Sequence, residues 1–304
     1  MNGRTIAIVT DDPGWHGARL TAALDARGVA SAYVSLRQCR IDLDQAPHGI
    51  VVPGFEDALP DGVIVRGVPG GTLEQVVLRL DVLHALRDAG VPVYNNGRAI
   101  ERTVDKAMTS LALWRAGVPT PPTWAVESFE QARAVARREC RMHRSVVLKP
   151  LFGSQGKNLR LIRGVDEVPD AMAQNGVYYL QRFIDSGAGE WHDWRLFVIA
   201  GRVRAAMIRR GASWISNVAQ GARCEAAVPP QPLARLAEDA VCALDIDYAG
   251  VDVIVDRAGE PFVIEVNGIP AWKGLQSVTD VDLAQAMVDD FVARHLPRRL
   301  EAVG

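Results

Sequence analysis

Two stretches of the chain hold residues whose types and spacing could do chemistry. In VVLKPLFGSQGKNLRLI, residues 146–162, an apolar run ends in Lys149-Pro150. A small polar loop with Gly153, Ser154 and Gly156 follows, and then a second apolar run. Backbone N–H groups in such a loop can converge on phosphate oxygens. The loop does not fit GxxxxGK[ST] and leads into a strand, which sets it apart from a phosphate site at a helix N-terminus. In GVDVIVDRAGEPFVIEVNGIP, residues 250–270, Asp256-Arg257-Ala258-Gly259 is turn chemistry between two apolar runs. Pairing Val255 with Glu260 sets Asp252 opposite Val263, and alternation then puts Val263, Glu265 and Asn267 on the face of Asp252. A lone acid in a strand more often faces water. Two acids and an amide oxygen on one face of Val/Ile-rich strands are costly to bury unless paired or bound to a cation, and the set suits Mg²⁺, with Mn²⁺ as an alternative. A phosphate cradle and a metal face in one chain imply Mg·ATP.

The elements that must position these residues follow from periodicity. The first third alternates strand and helix signals, as in a parallel α/β sheet: strands at Thr5–Thr10, Ser31–Leu36, Gly62–Arg66 and Val91–Tyr94, helices at Ala18–Arg27 and Leu73–Ala89. Asn95-Asn96-Gly97 turns the chain, and a domain boundary is placed there. One helix is predicted over Ala99–Ala116, then a strand at Thr123–Val126, a helix at Phe129–Cys140 and a short helix near Val168–Gln174. Strands at 177–184, Arg195–Ile199, Val203–Ile208, Gly250–Val255 and Pro261–Val266 make the remainder an antiparallel sheet, packed by helices at Leu233–Leu244 and Asp282–His295.

Composition narrows the classes. A chain of 304 residues exceeds what one hydrophobic core usually serves. A net charge of −2 argues against nucleic-acid binding driven by bulk charge. Cys39, Cys140, Cys224 and Cys242 are far apart and read as reduced thiols. No segment is long and apolar enough to span a membrane, and the opening apolar run, which stops at Asp11, does not read as a signal peptide. A cytoplasmic location is expected.

A series of ordered motifs extends this reading: TVDKAM at 103–108, RAGVPTP at 115–121, VLKPLFGSQG at 147–156, LQRFI at 180–184, DWR at 193–195, IRR at 208–210, SNVAQG at 216–221, AGVDV at 249–253 and EVN at 265–267. Together they resemble the ATP-grasp fold, and within it the RimK-like branch of carboxylate–amine ligases. The resemblance covers residues 95–295. It implies three units: an N-terminal parallel α/β domain at 1–94, a central lid subdomain with the closing loop at 95–180, and a C-terminal antiparallel-sheet subdomain with metal and substrate sites at 181–304. It also implies that Lys149 and Lys106 meet ATP phosphates, that Gly153, Ser154 and Gly156 belong to the closing loop, and that Gln181, Arg182, Phe183 and Ile184 offer backbone to the adenine. Asp193 falls on the nucleotide side, and Asp252, Glu265 and Asn267 carry over as metal ligands.

The chemistry implied is conversion of a carboxylate to an acyl phosphate and attack by an amine, releasing ADP and phosphate. Arg195, Arg210 and Asn217 are the residues expected to do it. Arg209 and Arg210 are adjacent and face opposite ways on a strand, so only one enters the cleft, and Arg210 is preferred. Gln220-Gly221-Ala222 and Ala271 depart from the branch's pattern on the substrate side. Trp191, Trp194, Trp214 and Trp272 flank the motifs and are read as faces for a flat substrate ring. The expected partners are L-glutamate, a pterin- or furan-type cofactor precursor and further copies of the chain. Glutamylation of a protein C-terminus and ATP-binding regulation without turnover are the alternatives.

Overall fold

The computed structural model describes residues 3–44, 46–153, 156–170, 175–187 and 191–296. Strands β1 (Thr5–Val9), β2 (Ala30–Val34), β3 (Arg40–Ile41), β4 (Ile50–Val51), β5 (Gly62–Val65) and β6 (Val93–Tyr94) build the first third. Four of them form a parallel sheet in the order β2-β1-β5-β6, and β3 and β4 pair as a small antiparallel ribbon. Val63, Ile64 and Val65 are buried on both faces, as continuous apolar runs in parallel sheets require. Helices α1 (Gly14–Asp25) and α2 (Leu73–Asp88) make the crossovers. A reciprocal capping box between Thr72 and Gln75 starts α2.

Where one helix is expected over Ala99–Ala116, the chain forms two, α3 (Gly97–Val104) and α4 (Lys106–Arg115). Asp105 makes the break: its carboxylate accepts from the N–H groups of Ala107 and Met108 and so caps α4. A lid sheet follows from β7 (Thr123–Val126), α5 (Phe129–Arg141), β8 (Val146–Lys149), β9 (Arg160–Ile162) and β10 (Tyr178–Arg182), in the order β7-β10-β8-β9. The proposed 180/181 boundary therefore falls inside a strand of the lid. The short helix expected near Val168–Gln174 does not form over its described residues, 168–170; a single 3₁₀ turn lies just before them at Val165–Glu167, and residues 171–174 lie outside the described residues.

The third unit is an antiparallel sheet of β11 (Trp191–Ile199), β12 (Arg202–Gly211), β13 (Arg223–Ala226), β14 (Tyr248–Val255) and β15 (Pro261–Asn267), ordered β13-β12-β11-β14-β15. Helix α6 (Gln231–Leu244), with α3 and α4, buries Leu196, Val198, Val251 and Val266 on one face. Phe197, Met207 and Tyr248 on the other face join the core of the N-terminal domain. Helix α7 (Lys273–Gln276) and helix α8 (Leu283–His295) complete the chain. Phe291 of α8 packs so closely on Gly62 that a Cβ there would sit 2.6 Å from its ring. The last helix thus finishes the first domain's core.

Asn95, the proposed linker turn, is fully buried and binds the backbone of Asp247, Tyr248 and Gly268. The boundary is a packed joint, and no exposed linker separates the units. No helix among the described residues is long and apolar enough to cross a membrane.

Candidate active site

Turn geometry decides which side chains meet. Asp256 N–H bonds to Glu260 O, leaving a three-residue hairpin loop, and Val255 pairs with Pro261 rather than with Glu260. Counting back from there would set Asp252 opposite Ile264. A bulge between Asp252 and Val253 adds one residue on β15, so Asp252 faces Glu265 and Gly250 faces Asn267. The expected acid face forms, but Val263 leaves it for the hydrophobic core, and Ile264 and Glu265 both line the cleft.

A second bulge, between Phe197 and Val198, acts the same way on β11 and β12. Without it Arg209 would oppose His192; with it Arg209 opposes Asp193, and Arg210 opposes His192. Arg209 donates to both oxygens of Asp193, Nε at 2.7 Å and Nη2 at 2.6 Å, and its Nη2 also lies 3.0 Å from Asp252 Oδ2. Arg195 forks onto Asp252 through Nε and Nη2. Two guanidiniums and two carboxylates, all nearly enclosed, thus form one lattice under the cleft. Burial works to raise the Asp252 pKa, but Arg195 and Arg209 outweigh it and hold the group below its ordinary range. Burial raises that of Asp193, with Arg209 opposing.

Arg209, placed second to Arg210 on sequence grounds, is the arginine that lines the cleft. Arg210 turns to Glu225, at 2.7 Å, on the neighbouring strand. The signal that could have separated them is the acid at 193, whose burial demands an opposite basic partner.

The lid supplies the opposite wall. β8 and β9 are antiparallel, so the glycine loop closes a hairpin. Lys149, at the end of β8, donates to Gln181 Oε1 at 2.7 Å, and Lys106, first residue of α4, donates to Gly153 O at 2.7 Å. Lys106 Nζ is also 3.8 Å from Glu265. Burial, aided by Lys106 and opposed by Glu265 and Asp252, lowers the Lys149 pKa to about 8. Gly156 has φ +67°, and a Cβ there would lie 3.0 Å from Ile215 and 3.5 Å from Asn217 Cβ. The loop returns against the opposite subdomain at that point. Ser154 lies outside the described residues.

At the other end of the cleft, the Arg182 N–H is spent on Pro122 O and that of Phe183 on Ser145 O. Among the described residues no backbone bond engages the N–H of Ile184, which lines the same end of the cleft. Val147, Ile254 and Ile264 line the apolar walls, a slot the sequence reading missed. Of the four tryptophans, Trp191 and Trp214 line the cleft and stand edge-on to Phe183, with centroids 6.0 and 6.1 Å away. Trp194 packs against the α6 side of the sheet and Trp272 is fully buried. The four do not form one substrate surface.

Asn217 lines the cleft and caps a 3₁₀ turn through Ala219 N–H. Asn267 donates its amide to Gly250 O at 3.4 Å, leaving its oxygen for other use. Among the described residues no three His, Cys, Asp or Glu side chains converge as a metal-ligand group. A divalent cation would therefore rely on the carboxylates of Asp252 and Glu265 with the amide oxygen of Asn267, a hard-oxygen set that fits Mg²⁺.

Comparison with known proteins shows the family. The RimK-like ATP-grasp domain matches residues 103–291, and the RimK PreATP-grasp domain matches residues 5–100. The tetrahydromethanopterin:alpha-L-glutamate ligase of Methanococcus maripaludis is 34% identical over 232 residues, 74% of this chain and 77% of that protein. The Methanosarcina acetivorans protein of the same name is 28% identical over 92% of this chain and 96% of its own. The ATP-grasp ligase PsnB, solved with minimal precursor, Mg and ADP, superposes with a TM-score of 0.71 at 21% identity, over 96% of this chain and 98% of its own. Likeness at that identity concerns the fold. By sequence and by architecture, this chain belongs to the RimK-like ATP-grasp family of ADP-forming ligases.

Proposed function

We propose that the protein joins L-glutamate to a small-molecule carboxylate of the pterin- or furan-type cofactor class, through an acyl phosphate. The observation that carries the ligase chemistry is the opposition of two lysines, Lys149 on the lid sheet and Lys106 at the start of α4, to Glu265 and the Asp252 lattice across one cleft. The names of the glutamate-ligase relatives support the substrates.

A carboxylate is a poor electrophile, and phosphorylation by ATP supplies the leaving group. Charge builds on the phosphoryl oxygens, and fixed cations stabilise it most when they need not reorganise. In this reading Lys149 and Lys106 meet the phosphates, exchanging their contacts to Gln181 and Gly153 for them. Arg209 is held by Asp193 and Asp252 so that its position does not depend on the ligand. A Mg²⁺ bound by Asp252, Glu265 and Asn267 would neutralise phosphate charge. The amine of glutamate then attacks the acyl carbon, and phosphate departs.

The aromatic argument for a flat acceptor ring weakens, because Trp191 and Trp214 stand with Phe183 at the nucleobase end. The acceptor reading rests on the relatives. Incubation with Mg·ATP, L-glutamate and a panel of pterin and furan carboxylates should release ADP and give a product one glutamyl residue heavier. Hydroxylamine should divert the intermediate to a hydroxamate. Release of AMP, or glutamylation of a protein tail with no small carboxylate accepted, would defeat the reading.

A further inference from the structure

The N-terminal sheet has the order β2-β1-β5-β6, so the chain leaves β1 towards one edge and later crosses from β5 to the other. In open α/β sheets a crevice forms outside the carboxyl ends of the two strands where the direction reverses, and ligands bind there. The residues at this point are the loop after β1, which enters α1, and Arg66, the first residue after β5. Helix α1 starts there with no side chain capping it.

Arg66 is unlike the other arginines near the cleft. Arg195 and Arg209 are committed to Asp193 and Asp252. Among the described residues Arg66 has no carboxylate partner. It donates to Pro270 O at 3.0 Å, neighbours the Tyr248 hydroxyl, and lies over the Trp272 ring, 4.6 Å from its centroid. Its Nε is fully enclosed without an acceptor, and so is the indole N–H of Trp272 beneath it. Two unsatisfied buried donors at one joint need an explanation, since native structures contain few of them.

The surroundings are cationic. Lys273 follows Trp272 and is exposed, with no ion pair among the described residues. His16 accepts from the Trp272 backbone N–H at 3.1 Å, and burial, then Arg66, then Lys273 push its pKa down to about 4, so it stays neutral. The site also adjoins the reaction centre. Pro270 is three residues beyond Asn267, at most about 11 Å of extended chain. Its Cβ and the Arg195 guanidinium both lie against Gly250, the cross-strand partner of Asn267.

We infer that the crevice between Arg66, the start of α1 and the Pro270–Lys273 segment is a carboxylate-binding subsite. It holds a non-reacting carboxylate of the amino-acid substrate, with Arg66 as the main ligand and Lys273 as a second cation. The inference rests on the ligase reading above. Glutamate used as an amine carries two carboxylates that do not react, and each must be met by a cation or left desolvated at a cost. The lysines of the lid face the nucleotide, and the floor arginines are already neutralised. Arg66 and Lys273 belong to neither group and have no carboxylate partner among the described residues.

The test uses the full chain with Mg·ATP and compares wild type with Arg66→Gln, Arg66→Lys and Lys273→Glu. Arg66→Gln should raise the KM for L-glutamate roughly 30- to 100-fold, the value of a lost charge-assisted contact. The KM for ATP should stay within about twofold of wild type. Arg66→Lys should recover part of the loss, and Lys273→Glu, at an exposed position, should raise the same KM about tenfold. Titration calorimetry of L-glutamate into the Mg·AMP-PNP-loaded protein reads the subsite without turnover. Equal KM and equal heats for L-glutamate in wild type and both charge variants overturn the subsite while leaving the ligase reading intact. If the wild type uses another amino acid, the glutamate reading fails by itself. The same variants then judge the subsite on that amino acid's KM: a selective rise supports it and an unchanged value rejects it.

Discussion

The two walls of the cleft present charge in opposite ways. On the floor, Arg195, Arg209, Asp193 and Asp252 neutralise one another in a buried lattice. On the lid side, Lys149 and Lys106 hold neutral oxygens, those of Gln181 and Gly153, and the Glu265 carboxylate is 3.8 Å from Lys106. A paired guanidinium keeps its place whether or not a ligand is present, which suits a surface that must be preorganised. A lysine on a neutral oxygen can exchange that contact for a phosphate at little cost. The floor is therefore built for position and the lid for response, and the two should fail differently.

The floor should fail through stability. Arg209→Met leaves Asp193 and Asp252 facing each other in a buried site, and breaking such a pair costs about 3–5 kcal/mol. The unfolding midpoint in urea should fall accordingly, and an unchanged midpoint would show that the lattice is not structural. Glu265, whose side chain is 29% exposed, should fail through turnover instead. Glu265→Ala is expected to lower kcat at least 100-fold, about 3 kcal/mol of barrier, with the unfolding midpoint nearly unmoved.

The response of the lid should be visible in pH. Lys149 is protonated below its pKa of about 8 and loses its charge above it. The kcat/KM for ATP should therefore hold to about pH 8 and fall as pH rises further, and Lys149→Met should give a low, flat profile across that window. A wild-type profile flat to pH 10 would remove this lysine from ATP binding. Gly156→Ala adds a side chain at φ +67° against Ile215, a strain of about 1–2 kcal/mol. It should raise the KM for ATP roughly 5- to 30-fold by hindering loop return. Arg210→Ala, on the face away from the cleft, should have the smallest effect: under about fivefold in kcat, in keeping with a partly exposed ion pair.

Much of this was legible in the chain. The parallel run of the first third, the hairpin around the glycine loop and the antiparallel character of the last third follow from periodicity and turn residues. The acid face at 252, 265 and 267 was also legible, although by a wrong register. Asp105 could have been read as a cap inside the 99–116 helix, because Asp followed by a helical run is an N-terminal signal. The tryptophans were misread for a different reason. Proximity in sequence to motifs says nothing about which side of the sheet a ring occupies, and Trp272 lies in the core that joins the first and third units.

Residue order alone sets the inventory: strands apolar enough to bury charge, acids and bases within them that must then pair, and a glycine loop after a lysine-ended strand. Which partners meet was decided by two bulges and by packing between distant segments. One extra residue on β12 turned Arg209 onto Asp193, and one on β15 turned Glu265 onto Asp252. A strand alternates with a period of two, so a single inserted residue exchanges its faces, and local sequence does not fix where the insertion falls. The same holds for Arg66. Its isolation from any described carboxylate, and its seat on Trp272 some 200 residues away, exist only once α8 and the segment after β15 close over the first domain.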